Sequence, residues 1–162
     1  MDLAKIGATS EGGVSRVAVS EEDRLGRDLL RSWASPLTED FHFDEVGNMF
    51  FIRYGLQPEA PIILTGSHLD TQIHGGRFDG AFGVMAGLEV LKTLAEEDIR
   101  LPCGIGLVAW TNEEEARYCP AMGSAVFVGK QDPQSALDCV GLDEKVFGEE
   151  LKKIGYLGKH RE

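Results

Sequence analysis

The chain has 162 residues, 27 acidic against 16 basic side chains and a formal net charge of −11, a balance that repels nucleic acid and anionic membrane surfaces. Its 43% hydrophobic and 27% charged residues describe a globular chain rather than a disordered one, long enough for one domain with a sizeable core. No apolar run is long enough to span a bilayer as a helix, which leaves membrane partners out as well.

Taken in chain order, MDLAKIGATS lacks the apolar stretch of a signal peptide. Ser20-Glu21-Glu22-Asp23 predicts a helix start, followed by Leu25, Leu29 and Trp33 at i, i+4, i+8 on the face expected to pack on a sheet. Phe41 to Val46 and Asn48 to Tyr54 read as two strands joined tightly around Gly47 as a hairpin. Gln57-Pro58-Glu59 is a loop, and Pro61 to Thr65 a core strand. A glycine-rich loop then leads into a helix from about Gly80 to Glu97, with Val84, Leu88, Leu91 and Ala95 inward. Gly104 to Trp110 returns as a buried strand, and Leu142 to Gly155 reads as a last helix stopped by Gly155. Strand, crossover helix, strand is the unit of an α/β fold with a parallel or mixed sheet, and such sheets place their sites at the carboxyl ends of the strands.

The residues at those two strand ends carry chemistry. GSHLDTQIHGGRFDGAFGV (66–84) holds His68, Asp70 and Asp79, and AWTNEEEARY (109–118) holds Glu113 and Glu114. An imidazole with carboxylates beside it is most of a two-metal hydrolase site, in which a carboxylate bridges the cations and terminal ligands leave positions open. Asp79, just before the Gly80 helix, is the natural bridge, His68 a terminal ligand, and Asp70, two residues on, the expected partner of the second imidazole nitrogen. Adjacent side chains on an extended segment point opposite ways, so one of Glu113 and Glu114 is free to bind metal while the other faces a water.

Together, GGVSRVAVSEEDRLGRDLLRSWA, DEVGNMFF, GSHLDTQIHGGRFDGAFGVMAGLEVLKTL, WTNEEEAR and FGEELKKIGYLG resemble the first part of the hydantoinase/carbamoylase family of zinc amidohydrolases. That family includes N-carbamoyl-L-amino-acid hydrolases, β-ureidopropionases and allantoate amidohydrolases. The resemblance runs from about Leu3 to Gly158. It implies an α/β fold: residues 1–162 as the N-terminal part of a zinc-exopeptidase-like catalytic domain, with a mixed sheet flanked by helices and without the lid/dimerisation domain of full-length, homodimeric relatives. It further implies that His68, Asp79 and Glu114 bind two divalent cations (zinc, or manganese, cobalt or nickel), that Glu113 is the general base, and that Asp70 orients the metal-bound histidine. The implied substrate is a small ureido or amidino compound, cleaved at a non-peptide C–N bond. Where such proteins usually have Gly after the glutamate pair this chain has Glu115, and the family's later histidine ligands do not follow within 162 residues.

Each residue also has an ordinary reading. A histidine after a strand is often a core residue, an EEE run a solvated face, Asp79 a helix cap and Gly75-Gly76 a turn. His42, His74 and His160 take the ordinary reading, with His74 as the one substitute ligand. Cys103, Cys119 and Cys139 show no CxxC spacing and cannot all pair, which suits a reducing cytoplasm, and Cys119 reads as a buried or spectator thiol. A catalytically incompetent fragment and a dinuclear dipeptidase or deacylase are the competing functional readings.

Overall fold

The computed structural model describes residues 2–159, so His160 lies outside the described residues. Four strands form one mixed sheet in the order β1-β2-β4-β3: β1 (Asp40–Phe43), β2 (Met49–Arg53), β3 (Ile62–His68) and β4 (Gly104–Trp110). β1 and β2 form the expected hairpin, whose loop is wider than a two-residue turn. The Asp44 carboxylate folds it by accepting the Val46 and Asn48 N–H groups at 3.1 and 2.9 Å. β2 runs antiparallel to β4 and β3 parallel to it, with His68 opposite Trp110, so the ends of β3 and β4 finish together.

Between them runs α2 (Ala81–Glu96), which buries Ala81, Val84, Gly87 and Leu91 against one sheet face. α1 (Glu21–Ala34) begins where the sequence predicts, with the Ser20 hydroxyl accepting the Asp23 N–H at 3.2 Å and three acidic residues in the first turn. Its inward stripe differs from the apolar pattern: Asp23, Gly26, Arg27, Leu30 and Ala34 are buried, Leu29 and Trp33 only partly, and Leu25 is exposed. The stripe turns because Arg27 and Asp23 satisfy each other inside at 3.0 Å. Arg27 also donates to the Gly47 carbonyl and the Thr111 hydroxyl. A count of apolar side chains does not register such a pair.

Three short helices follow: α3 (Met122–Phe127), α4 (Pro133–Leu137) and α5 (Phe147–Lys153). The predicted last helix is thus shorter, because Gly141 to Lys145 closes a turn in front of it. Its stop is where it was expected: Gly155 has φ +83°, and the Gly155 and Tyr156 N–H groups return to the carbonyls of Lys152 and Leu151. The main core lies between the sheet, α1, α2 and α5. The other face carries only a small cluster of Phe50, Ile52 and Val108 with Leu64 and Trp110. Consequently Ile62 and Ile63 are exposed, not core: β3 is an edge strand and, among the described residues, pairs with β4 alone. No helix among the described residues is long and apolar enough to cross a membrane.

Candidate metal centre

His68 is the last residue of β3 rather than a residue beyond it, and its side chain is buried. Its Nδ1 lies 2.9 Å from the main-chain carbonyl of Asp70. A carbonyl only accepts, so this contact places the proton on Nδ1 and leaves the Nε2 lone pair free to ligate. The partner predicted for Nδ1, the Asp70 carboxylate, stands further off, with Oδ1 at 3.9 Å. That carboxylate instead accepts the Glu114 N–H at 3.0 Å, tying the end of β3 to the loop after β4.

Asp70 is itself buried, and its Oδ1 has no hydrogen-bond partner. Burial, with the Asp23 charge as a smaller cause, pushes its carboxyl up to about 6, while the Glu114 N–H and His68 pull the other way. Behind it the segment is clamped by Arg16. Its guanidinium donates to the carbonyls of Leu69 (2.7 Å), Leu3 (3.2 Å) and Ile6 (3.0 Å). Its main chain bonds in both directions with Thr71.

The other arm leaves β4 through Thr111 and Asn112, both buried. Asn48 accepts the Thr111 N–H, and Asn112 turns the chain at φ +52°, after which the Ala121 and Met122 N–H groups return to the carbonyls of Glu113 and Asn112. This closed loop presents Glu113 and Glu114 half-exposed. Glu113 Oε2 lies 3.5 Å from His68 Nε2, and Glu114 Oε2 accepts from Gln72 Nε2 at 2.7 Å. Glu115 is exposed and is absent from the residues with positive φ, so no glycine is required there.

Ligand atoms of His68, Glu113 and Glu114 all lie within 4.8 Å of one another. An imidazole lone pair facing two carboxylates is a set of acceptors that a cation satisfies, so these residues fit a metal. Asp79 is outside that group and exposed. It is one residue from Gly80, which turns at φ +62° so close to the His68 ring that a Cβ there would overlap the imidazole. His74 is also outside the group, with φ +57° and its N–H on the Ser15 hydroxyl, and His42 contacts Asp40 and stacks on Phe50 in the sheet. Arg16, Gln72 and Gly80 were not singled out from the sequence. Only Gly80 left a signal there, as a D-G pair at a helix start.

A cleft of about 760 Å³ lies apart from these donors, lined by residues such as Arg24, Arg117 and Glu150.

An imidazole and two carboxylates at the carboxyl ends of neighbouring parallel strands define a candidate metal centre in an α/β fold. The chain belongs to Peptidase family M28, a metal-dependent family whose profile matches residues 52–146. It is 42% identical over 159 residues to the N-carbamoyl-L-amino-acid amidohydrolase of Rhizobium meliloti, covering 98% of this chain and 38% of that protein. It is 40% identical over 116 residues to the allantoate amidohydrolase of Bacillus subtilis, covering 72% of this chain and 28% of that protein. Among solved structures, a hydantoinase/carbamoylase family amidase from Burkholderia ambifaria superimposes with a TM-score of 0.95 at 46% identity, over 98% of this chain and 39% of that one. The chain therefore spans well under half the length of these relatives. The α/β fold and the family expected from the sequence both stand.

Proposed function

We propose that this chain carries the N-terminal metal-binding arm of an amidohydrolase that cleaves the non-peptide C–N bond of small N-carbamoyl (ureido) amino acids or related amidines. The observation that carries the reading is the convergence of His68, Glu113 and Glu114 within 4.8 Å. His68 Nε2 and the Glu114 carboxylate would hold divalent cations (zinc, or manganese, cobalt or nickel), and Asp79 would join them from the start of α2. Such cations lower the pKa of a bound water and stabilise negative charge on the attacked oxygen. The chain's own residues then divide the work. The Asp70 carbonyl keeps the proton on Nδ1 so that Nε2 stays a lone-pair donor, and Gln72 orients Glu114. Glu113, half-exposed beside Nε2, is placed to take the proton from water and hand it to the leaving amine. The free state of the three cysteines supports a reducing, cytoplasmic setting.

The test is a chimaera in which this chain replaces the matching part of the Rhizobium protein. It should release ammonia from N-carbamoyl-L-amino acids. Glu113→Gln should keep the metal and cut turnover roughly 10²–10⁴-fold, whereas Glu114→Gln should lose metal too. A folded, metal-loaded chimaera without turnover would contradict the reading, and cleavage of a dipeptide instead would move the substrate to the peptidases for which the family is named.

A further inference from the structure

Where α2 begins, the fold leaves a cavity of about 370 Å³ between that helix, α1 and the N-terminal turn Leu3–Lys5. Its walls are apolar: Leu3 from the turn, Trp33 from α1, and Phe78, Phe82 and Met85 from the entry and first turns of α2. Leu3 is buried, and Trp33 and Met85 pack against the core, so this side of the cavity is fixed. Phe78 and Phe82 stand one turn apart, the Phe82 N–H on the Phe78 carbonyl at 3.0 Å, and remain 61% and 70% exposed. Two aromatic rings left in water beside a preformed apolar wall make a surface that gains by being covered.

Two charged side chains also line the cavity. Asp2 is paired, its carboxylate accepting from Lys5 Nζ at 2.7 Å. Arg77 is anchored by its Nε, which donates to the Gly12 carbonyl, and Gly12 lies so close that a Cβ there would press on Nη2. The Gly12 loop is tied down in turn, with the Val14 N–H on the Gly75 carbonyl at 3.0 Å. Among the described residues Arg77 has no carboxylate partner, and its Nη groups have no acceptor. In a chain of net charge −11, an anchored guanidinium without a counter-charge beside an apolar cavity selects an anion. The volume falls at the low end of the roughly 300–1,000 Å³ of small-molecule pockets, room for one ring and a short chain. Asp2 at the same cavity disfavours a second negative charge on the ligand.

We propose that this cavity binds a small aromatic monocarboxylate, its ring against Trp33, Phe78 and Phe82 and its carboxylate on Arg77. The ring takes offset or edge-to-face contacts with the three aromatic side chains, and the carboxylate accepts from the Nη donors. None of His68, Glu113 and Glu114 lines the cavity, so binding needs no metal and does not rest on the proposed function.

The experiment titrates the full, chelator-treated, isotope-labelled chain with phenylacetate and follows its amide and indole NMR signals. Saturable shifts are expected at the Trp33 indole and at the amides of residues 77–85, with the Trp110 indole, in the cluster on the other sheet face, unmoved. Phenylethanol, a similar ring without the charge, should bind roughly tenfold more weakly, and acetate should not saturate. Arg77→Gln should bring phenylacetate down to the level of phenylethanol and leave the alcohol unchanged, while Phe82→Ser should weaken both. Both side chains are exposed, and the dispersion of each variant's spectrum verifies its fold. Equal affinity for acid and alcohol, or an Arg77→Gln variant that binds the acid as before, would overturn the carboxylate assignment. Shifts that map elsewhere, or that do not saturate, would overturn the site. Shifts at residues 77–85 that depend on protein concentration without ligand would put a second copy of the chain on Phe78 and Phe82 and overturn the small-molecule occupant.

Discussion

The two arms of the candidate centre are held by different physics. The β3 arm is a strand end: His68 and Asp70 are buried, the imidazole is fixed by a main-chain carbonyl, and Arg16 grips the segment through the Leu69 carbonyl and Thr71 while holding the N-terminal turn by the Leu3 and Ile6 carbonyls. The β4 arm is a loop turned by Asn112, with its two carboxylates half in solvent and one of them steered by an exposed glutamine. A rigid nitrogen donor thus faces adjustable oxygen donors. In the proposed function this division would let one arm set position while the other supplies Glu114 as ligand and Glu113 as base.

The contrast is most open to attack through stability. Arg16→Ala leaves three carbonyls without their buried cationic donor and Asp70 without its nearby guanidinium, so we expect a loss of about 3–5 kcal/mol in urea unfolding. Gln72→Ala, which removes only the support of Glu114 on the β4 arm, should change unfolding by less than about 0.5 kcal/mol while weakening metal binding. Equal effects of the two substitutions on stability would erase the distinction.

A smaller loss is expected at Gly80. Alanine there must adopt a left-handed backbone and press its Cβ into the imidazole, at a cost of about 1–3 kcal/mol, with weaker metal binding because the ring is displaced. Unfolding curves and zinc titration of Gly80→Ala measure both. A variant unchanged in each would show that the β3 arm is looser than its packing implies.

The subtlest test is the pH dependence of the metal-free chain. Asp70 holds its proton to about pH 6 in the folded state against 3.8 for the ordinary group. Between those values the native state binds more protons than the unfolded one, so this residue makes stability fall as pH rises through the window and adds no slope above or below it. Asp70→Asn should remove that fall, read as the difference between the urea midpoints of the two proteins from pH 4 to pH 6. Identical slopes would mean that the carboxylate is better solvated than its burial indicates.

The same contrast explains how far the sequence could be read. Element types along β3, α2 and β4, the start of α1 and the Gly155 stop followed from periodicity and capping, which are local. His68, Glu113 and Glu114 stood out because strand ends concentrate chemistry, and the family pattern assigned roles that spacing left open. What escaped was non-local. The buried stripe of α1 runs through Asp23 and Arg27 because their partners lie on the β1–β2 loop and at Thr111. Arg16 is more than fifty residues from the segment it clamps, and Gln72 is 42 residues from Glu114. The exposure of Ile62 and Ile63 depends on strand order, which an apolar run does not encode.

The central claim is that His68 and Glu114 bind divalent metal beside the base Glu113, and calorimetric titration of the chain with zinc addresses it most directly. Three donors converge where a dinuclear site takes about five protein ligands, so a single equivalent should bind, weakly enough to be lost on dialysis. Binding should vanish in His68→Ala and fall strongly in Glu114→Gln, while Glu113→Gln retains it. Zinc binding undiminished in His68→Ala, or two equivalents that survive dialysis, would contradict the account.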